Sequence, residues 1–310
     1  MNILVTGVAG FIGFHTAKAL LERGDSVVGI DNMNEYYDVS LKKSRLDILK
    51  KYDNFSFHKI DLAKFDLDIK VDSICHLGAQ AGVRYSIENP IAYENSNVLG
   101  TLRIFEFARH KKIKNVVYAS SSSVYGNCPN VPFKESEKLD EPISLYAATK
   151  KANELYAHVY HNLYGINMIG LRFFTVYGPY GRPDMAIFKF TKNIIEGKPI
   201  DVYNNGKLQR DFTYVDDIVS GVVSALDSGL SFEIINLARG ETIELLDFIK
   251  AIEDAVGKKA KLNMMSMQAG DVFKTYGDIS LASQKLGYKP KVSVKEGVKK
   301  FVDWYKGYYK

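Results

Sequence analysis

The sequence predicts an α/β fold built on a doubly wound parallel sheet, and three observations support this prediction. Short apolar runs alternate with longer helical patterns through the first half of the chain. A glycine-rich turn joins the first apolar run to the first helix, and the pattern changes after Tyr177. Crossovers between parallel strands are right-handed and pack a helix against the sheet, so the alternation predicts helices on both faces.

The first half of the chain supplies the predicted strands and long helices of this sheet. The strands are expected at Ile3–Val5, Val27–Ile30, Phe55–Ile60, Ser73–Leu77, Val116–Ser120 and Met168–Phe173. The main helices between them are expected at Phe11–Arg23, Ala92–His110 and Tyr146–Tyr164. Both assignments follow from the spacing of the apolar residues.

The second half has shorter elements separated by turn signals. The turns are predicted at Gly178-Pro179, Gly181-Arg182-Pro183 and Asn204-Asn205-Gly206. The elements are expected at Met185–Glu196, Asp216–Asp227, Glu233–Leu237, Ile243–Val256 and Val294–Trp304. We therefore expect residues 1–177 to form one domain and residues 178–310 to form mainly a smaller α/β lobe, with some later segments returning to the first domain.

The turn from Gly7 to Gly13 predicts a binding site for a dinucleotide. Glycine lets the backbone turn sharply and approach a ligand that a Cβ would block. The helix that begins near Phe11 directs its N–H groups and its positive dipole end at phosphates. The second strand ends at Asp31, where a carboxylate suits the ribose hydroxyls of NAD and would repel the phosphate of NADP. The alternative is a glycine-rich turn without a ligand.

Composition and charge argue against several other classes of protein. The formal charge of +5 over 310 residues comes from scattered lysines, which predicts no nucleic-acid partner. No apolar run approaches the ~20 residues of a membrane span. The first strand is predicted directly after Met1, so no signal peptide is expected. Cys75 and Cys128 lack redox or metal spacing, so we expect a cytoplasmic protein. His158 and His161 share a helical face without a third ligand, so no metal site is predicted.

Tyr146 and Lys150 are the first candidates for catalysis. Residues four apart on a helix are neighbours, so the two side chains are expected on one face. A phenol with a pKa near ~10 is a poor base at neutral pH. An adjacent ammonium is expected to lower that pKa, which would let Tyr146 remove a hydroxyl proton while a hydride leaves the same carbon. The alternative is a surface pair.

A row of four serines, Ser120 to Ser123, follows the fifth predicted strand. Open α/β sheets bind ligands at the carboxyl ends of their strands. Buried hydroxyls each need a hydrogen-bond partner, so the row is not expected to be plain core strand. We interpret it as a set of hydroxyls facing a sugar; the alternative is a polar loop.

These motifs together resemble the extended short-chain dehydrogenase/reductase family, also called the NAD-dependent epimerase/dehydratase family, whose members act on nucleotide sugars. The resemblance runs nearly end to end and includes the Rossmann glycine pattern, the serine row, the Tyr146/Lys150 pair and the segment from Arg210 to Asp217. Within the family the chain is similar to the 4-epimerases of UDP-glucuronate. That narrower resemblance rests on two segments, Ala81–Ser86 and Arg172–Met185.

The resemblance implies a role for each matching residue. NAD is expected to contact Gly7, Gly10, Phe11, Ile12, Gly13, Asp31, Asn32, Asp61, Leu62, Leu77, Gly78, Ala79, Tyr146 and Lys150. The UDP-sugar is expected to contact Arg84, Ser121, Ser122, Ser123, Thr175, Arg182, Arg210, Gln268 and Asp271. Tyr146, Lys150 and Ser121 form the implied catalytic set. Gln268 departs from the UDP-galactose epimerases, which carry an arginine there, so one cation for the diphosphate is missing or supplied elsewhere.

A hexuronate substrate has a chemical requirement of its own. Oxidation at C4 produces a β-keto acid, which loses CO2 when its carboxylate bond aligns with the carbonyl π system. Arg182 is expected to hold the carboxylate out of that alignment through a bidentate pair, with a further hydrogen bond from Thr175. Related decarboxylases and dehydratases place acidic residues in the serine row, and none occurs here between Ser120 and Tyr125. The alternative for Arg182 is a solvated loop residue.

The predicted function is the 4-epimerisation of UDP-glucuronate to UDP-galacturonate through a transient 4-keto sugar, with NAD bound. Two alternatives remain open: a 4-epimerase of UDP-glucose or UDP-N-acetylglucosamine, and a non-catalytic NAD-binding regulator. The resemblance also implies a homodimer, because the helical patterns Ala92–His110 and Tyr146–Tyr164 form an intersubunit four-helix bundle in the family.

Overall fold

A computed structural model describes residues 1–267 and 272–310 of the chain. In chain order its strands are β1 (Asn2–Thr6), β2 (Ser26–Asp31), β3 (Phe55–Lys59), β4 (Ser73–His76), β5 (Asn115–Ser121), β6 (Asn167–Phe173), β7 (Thr175–Tyr177), β8 (Pro199–Val202), β9 (Gln209–Arg210), β10 (Phe212–Tyr214), β11 (Phe232–Leu237), β12 (Ile243–Glu244) and β13 (Lys261–Met264). Its helices are α1 (Phe11–Glu22), α2 (Val39–Leu49), α3 (Tyr85–Glu88), α4 (Pro90–Tyr93), α5 (Gly100–Lys111), α6 (Leu145–Tyr164), α7 (Ala186–Glu196), α8 (Val215–Asp227), α9 (Leu245–Val256), α10 (Ser280–Leu286) and α11 (Val294–Tyr308).

The main sheet confirms the predicted fold class. Within the described residues it has seven strands in the order β3-β2-β1-β4-β5-β6-β11, and every neighbouring pair is parallel. The chain therefore starts in the middle of the sheet, winds to one edge through β2 and β3, and then winds to the other edge from β4 onward. This double winding leaves a crevice at the carboxyl ends of β1 and β4, where the winding direction reverses.

Helices cover both faces of the sheet because successive strand residues point to opposite sides. Ile3 and Val5 of β1 belong to an apolar cluster that includes residues of α1 and α8. Leu4, between them, belongs to a cluster on the other face that includes residues of α5. All three side chains are completely buried, as expected for a central parallel strand.

The second half of the chain packs onto the first half through a continuous core. Phe188 of α7, Phe248 of α9 and Phe301 of α11 belong to the same apolar cluster as β1 and α1. The rings of Phe248 and Phe212 stack with their centroids 3.8 Å apart. Strand β11, from the second half of the chain, completes the main sheet beside β6. The division at residue 177 therefore stays a prediction.

Several element boundaries differ from the sequence prediction. The expected helix Ala92–His110 is interrupted by a π-helical turn at Glu94–Leu99. Asn97 in this turn accepts a hydrogen bond from the Gln80 amide (2.8 Å) and donates one to the Gln80 carbonyl (3.0 Å). The turn thus brings a polar side chain to the backbone that follows β4, a contact that apolar spacing does not encode. The pattern Ile243–Val256 divides into β12 and α9, and α2 was not predicted.

Among residues 1–267 and 272–310, no helix has the length and apolar character needed to cross a bilayer.

Candidate active site

The predicted glycine turn lies at the carboxyl end of β1 and packs tightly against the segment after β4. Gly7 has φ +67°, and a Cβ there would come 2.6 Å from the Gly78 Cα. A Cβ on Gly13 would come 2.1 Å from the Gly7 carbonyl oxygen. The Gly10 amide donates to that same oxygen at 2.9 Å. Side chains are therefore sterically excluded from the turn, which leaves its backbone open to a ligand.

A cavity of about 250 Å³ lies over this turn. Its wall includes most of the residues for which the family resemblance implies contact with NAD. They are Gly7, Gly10, Phe11, Ile12, Gly13, Asp31, Asn32, Leu62, Leu77, Gly78, Ala79, Tyr146 and Lys150. Asp61 does not line this cavity; its carboxylate accepts hydrogen bonds from the Ala63 amide (2.9 Å) and the Asn32 side chain (3.3 Å).

Asp31 is held at the end of β2 by backbone donors. One carboxylate oxygen accepts from the Met33 amide at 2.8 Å, and the other accepts from the Ala9 amide of the glycine turn at 3.2 Å. Lys42 of α2 lines the same cavity and donates to the Asn34 side chain at 2.7 Å. Burial lowers the pKa of Lys42, while the nearby charge of Asp31 raises it. Sequence reasoning missed Lys42 because α2 has almost no apolar periodicity.

A second cavity, of about 610 Å³, adjoins the first. It is lined by every described residue for which the resemblance implies contact with the UDP-sugar: Arg84, Ser121, Ser122, Ser123, Thr175, Arg182 and Arg210. The guanidinium of Arg84 lies 5.2 Å from the ring centroid of Tyr203, and Arg210 donates to the Phe273 carbonyl at 3.1 Å. Gln268 and Asp271 lie outside the described residues.

Tyr146 and Arg182 lie where the two cavities meet, since both side chains line both cavities. The Tyr146 phenol is hydrogen-bonded to Ser121. Burial raises the pKa of Tyr146, whereas the Ser121 hydrogen bond and the Arg182 charge lower it. A weakly ionised phenol, a hydroxyl and a guanidinium therefore converge on one point of the wall.

The expected effect of Lys150 on the Tyr146 pKa needs correction. The Lys150 ammonium donates to the Ala119 carbonyl at 2.8 Å, and burial lowers the pKa of Lys150 to about 8. The net shift of the Tyr146 pKa is upward, because removal of the phenol from water outweighs the favourable contacts. The lowering expected from Lys150 is therefore absent from this arrangement of the site.

The serine row divides between two roles. Ser121 ends β5 and caps the short 3₁₀ helix of residues 122–125, with its hydroxyl accepting from the Ser123 amide at 3.1 Å. Ser120 instead donates to the Glu154 carboxylate of α6 at 2.7 Å. The change of direction from Ser120 to Ser121 follows the alternation of side chains along a strand. Ser121 thus contacts Tyr146, while Ser120 joins a buried polar network.

Arg182 is already paired in the structure. Its Nε and Nη2 atoms lie 3.0 and 2.5 Å from the two carboxylate oxygens of Asp184. The Tyr36 hydroxyl donates to the same carboxylate at 3.1 Å. Arg182 also hydrogen-bonds the Tyr36 hydroxyl. Asp184 does not occupy the second edge of the guanidinium, which is formed by Nη1 and Nη2. Sequence reasoning missed Asp184 and Tyr36, although Asp184 stands two residues after Arg182 in the segment that carried the resemblance.

A glycine cradle at the switch point of a doubly wound sheet, beside a Tyr–Ser–Lys cluster, defines the class of protein. The fold and the site are those of a nicotinamide-dependent enzyme of the short-chain dehydrogenase/reductase class. The family model described as GDP-mannose 4,6 dehydratase matches residues 4–301, and the chain belongs to that family.

Individual relatives match the chain over its whole length. The chain is 56% identical to the uncharacterized protein MJ1055 of Methanocaldococcus jannaschii, in a match that covers 98% of this chain and 96% of the relative. It is 46% identical to the UDP-glucuronate 4-epimerase of Thermodesulfobacterium geofontis, over 98% of this chain and 95% of the relative. The crystal structure of UDP-glucuronic acid 4-epimerase from Bacillus cereus, in complex with UDP-glucuronic acid and NAD, superposes with a TM-score of 0.95 at 37% identity, covering 100% of both chains.

Proposed function

We propose that the chain is a 4-epimerase that interconverts UDP-glucuronate and UDP-galacturonate with NAD bound. The observation that carries this proposal is the position of Tyr146 and Arg182 at the junction of the two cavities. A proton acceptor and a carboxylate ligand then face the same sugar. The relatives that are named UDP-glucuronate 4-epimerases support the same substrate.

The residues around the smaller cavity suit NAD in backbone geometry and in charge. The backbone of the glycine turn is open to a pyrophosphate, and the Asp31 carboxylate lies at the end of β2, where ribose hydroxyls would reach it. When bound there, NAD supplies the hydride acceptor and donor for C4 of the sugar. Lys150 remains an expected contact of the nicotinamide ribose, and Asp61 an expected contact near adenine.

The proton of the sugar O4 hydroxyl passes to Tyr146 in the proposed reaction. Ser121 shares the hydrogen bond to that oxygen, and the charge of Arg182 favours the phenolate. The 4-keto sugar then turns over in the larger cavity, and Tyr146 returns its proton to O4 after the opposite face has been reduced. The raised pKa leaves little phenolate at neutral pH, so the first step, in which the phenolate accepts the O4 proton, is the more demanding one for this residue.

Arg182 and Thr175 hold the sugar carboxylate in this proposal. Both line the larger cavity, as Tyr146 does. A fixed carboxylate cannot align with the C4 carbonyl, so CO2 is retained. Residues 178–310 form mainly the UDP-sugar-binding lobe, in which Arg210 binds the diphosphate. Arg84 is the next candidate to hold the carboxylate, and Gln268 and Asp271 remain expected contacts of the UDP-sugar.

A homodimer belongs to the same proposal. Leu155, Val159 and Leu163 of α6 follow one another at intervals of four and are 57, 47 and 67% exposed. Ile91 of α4 is 65% exposed, and Leu99 is 36% exposed. An apolar stripe of this kind along a long helix is typical of a helix–helix interface between subunits.

A neutral-sugar 4-epimerase is the second candidate function. The ion pair between Arg182 and Asp184 favours it, because a guanidinium that already has a counter-ion needs no carboxylate from the substrate. UDP-glucose or UDP-N-acetylglucosamine would then be the substrate.

A panel of UDP-sugars tests the proposal against this alternative. The purified protein is incubated with UDP-glucuronate, UDP-galacturonate, UDP-glucose and UDP-N-acetylglucosamine, and the products are separated. We expect interconversion of the two uronates at the highest kcat/KM, and NAD as the nucleotide released on denaturation. Faster turnover of UDP-glucose would replace the proposal by the neutral-sugar function.

A further inference from the structure

Asp184 has a position that the proposed reaction does not yet explain. It lies in the turn before α7 and forms a two-point ion pair with Arg182, the residue proposed to hold the sugar carboxylate. Both side chains line the larger cavity, with 21% of Arg182 and 28% of Asp184 exposed. Arg182, which is expected to select a charged sugar, is therefore already paired with a carboxylate of the protein.

The surroundings hold Asp184 in this place. The Tyr36 hydroxyl donates to Asp184 Oδ2, the oxygen that also faces Arg182 Nη2. Tyr36 reaches this position past Gly82, where a Cβ would come 2.7 Å from the Tyr36 hydroxyl oxygen. Burial would raise the pKa of Asp184, but the charge and hydrogen bonds of Arg182 and Tyr36 lower it overall. Asp184 is therefore ionised at neutral pH.

The Arg182 guanidinium has two edges that can each bind a carboxylate. Asp184 occupies the edge formed by Nε and Nη2. A guanidinium has five N–H groups in one plane, so Nη1 and the second N–H of Nη2 form another edge with the same forked shape. A sugar carboxylate bound at that second edge would share Arg182 with Asp184. Two carboxylates on one guanidinium leave a net negative charge and repel each other.

We propose that Asp184 is a positioning residue that acts through Arg182 and limits how strongly the site prefers charged over neutral UDP-sugars. Its carboxylate holds the guanidinium plane in the absence of substrate and weakens the attraction of Arg182 for the substrate carboxylate. This inference rests on the proposed function, because it requires that Arg182 binds a carboxylate. The predicted consequence is that loss of the Asp184 charge strengthens uronate binding specifically.

Equilibrium binding to the NAD-loaded enzyme tests this. All variants carry Tyr146→Phe so that the ligand is not turned over. The measured quantity is the ratio of the dissociation constant of UDP-glucose to that of UDP-glucuronate. Because both ligands carry the same diphosphate, the ratio cancels any general effect of charge on the nucleotide. We expect Asp184→Asn to raise the ratio about twofold to fivefold, the range for a partly exposed ion pair, through tighter UDP-glucuronate binding.

Two further variants make the result specific. Asp184→Glu retains the charge and should restore a ratio near that of the parent. Asp201→Asn removes a carboxylate from the wall of the same cavity that bonds Asn263 at 2.7 Å, and it should leave the ratio unchanged. An unchanged or lower ratio in Asp184→Asn, or an equal rise in Asp201→Asn, overturns the inference. If Asp184→Asn no longer binds UDP-glucose, Asp184→Ser is judged by the same ratio.

The parent protein separates this inference from the proposed function. A parent that binds UDP-glucose as tightly as UDP-glucuronate contradicts the proposed function, whatever the variants do. If the parent prefers UDP-glucuronate and Asp184→Asn leaves the ratio of dissociation constants unchanged, only the role of Asp184 is contradicted.

Discussion

At the scale of single residues, Tyr146 combines a raised pKa with a direct hydrogen bond to Ser121. Replacement by phenylalanine removes the proton acceptor but keeps the ring that packs edge-on against Tyr93, with centroids 6.0 Å apart. We expect Tyr146→Phe to lower kcat by at least ~10²–10⁴, the contribution of general acid–base catalysis, and to leave UDP-glucuronate binding nearly intact. Steady-state turnover and calorimetric binding check this. A near-normal kcat would mean that another group is the base.

Arg182 is the second residue with a decisive role. We expect Arg182→Ala to weaken UDP-glucuronate binding by about 2–4 kcal/mol, as for truncation of one partner of a charge pair, while UDP binding is retained. The released carboxylate can rotate into alignment with the C4 carbonyl, so a UDP-pentose should form as a side product. Product chromatography and the affinity ratio of UDP-glucuronate to UDP-glucose measure both effects. An unchanged ratio would mean that the carboxylate is held elsewhere, with Arg84 the next candidate.

At the scale of elements, a buried polar network joins α6 to the end of the sheet. Arg172 of β6 donates through Nε (2.8 Å) and Nη2 (2.9 Å) to the two oxygens of Glu154 on α6. Arg172 Nη1 donates to the Tyr125 hydroxyl at 2.9 Å, and Tyr125 donates to Asn236 of β11 at 2.8 Å. Since Ser120 also donates to Glu154, the network holds β5, β6, β11 and α6 in one arrangement.

Loss of the Glu154 charge should destabilise the fold before it alters the chemistry. Glu154→Gln leaves the buried Arg172 guanidinium without a counter-ion, and breaking a buried pair in this way costs about 3–5 kcal/mol. We expect a lower free energy of unfolding in urea and a smaller loss of kcat than in Tyr146→Phe. Glu141→Gln, at an exposed glutamate, is the control. Equal stability of Glu154→Gln and the parent would contradict the argument.

The same ion pair has a pH signature with a definite sign. Burial opposes ionisation of Glu154, but the hydrogen bond and charge of Arg172 lower its pKa overall. A carboxyl with a pKa depressed by folding contributes stability above its unfolded pKa and loses it as the pH falls through the folded pKa. The stability difference between the parent and Glu154→Gln should therefore shrink at acidic pH.

At the scale of the whole molecule, the apolar stripe of α6 predicts association of two chains. Val159 stands at the middle of the stripe and is 47% exposed. We expect light scattering to give a dimer at micromolar concentration, and Val159→Glu to give a monomer because a charge would be buried at the centre of the interface. His158→Glu, at an exposed residue of the same helix, is the matched control. A monomeric parent would contradict the prediction.

The local features of this protein could be predicted from the sequence. The alternation of strands and helices, the glycine turn and the placement of Tyr146 one helical turn before Lys150 are encoded by residue spacing alone, because strand and helix periods act over a few residues. The fold class, a doubly wound parallel sheet, followed from the same patterns together with the handedness of crossovers. The residues proposed to bind NAD and sugar were identified by family resemblance, and nearly all the described ones line the two cavities.

Only the tertiary structure determined the partners of these residues. Lys42 reaches the NAD cavity on a helix without an apolar stripe, and Arg172 meets Glu154 across 18 residues of sequence. Tyr36 meets Asp184 across 148 residues, and burial reverses the expected shift of the Tyr146 pKa. The physical reason is that charge pairing and desolvation depend on which segments the fold brings together, and apolar periodicity specifies each segment without specifying its polar neighbours.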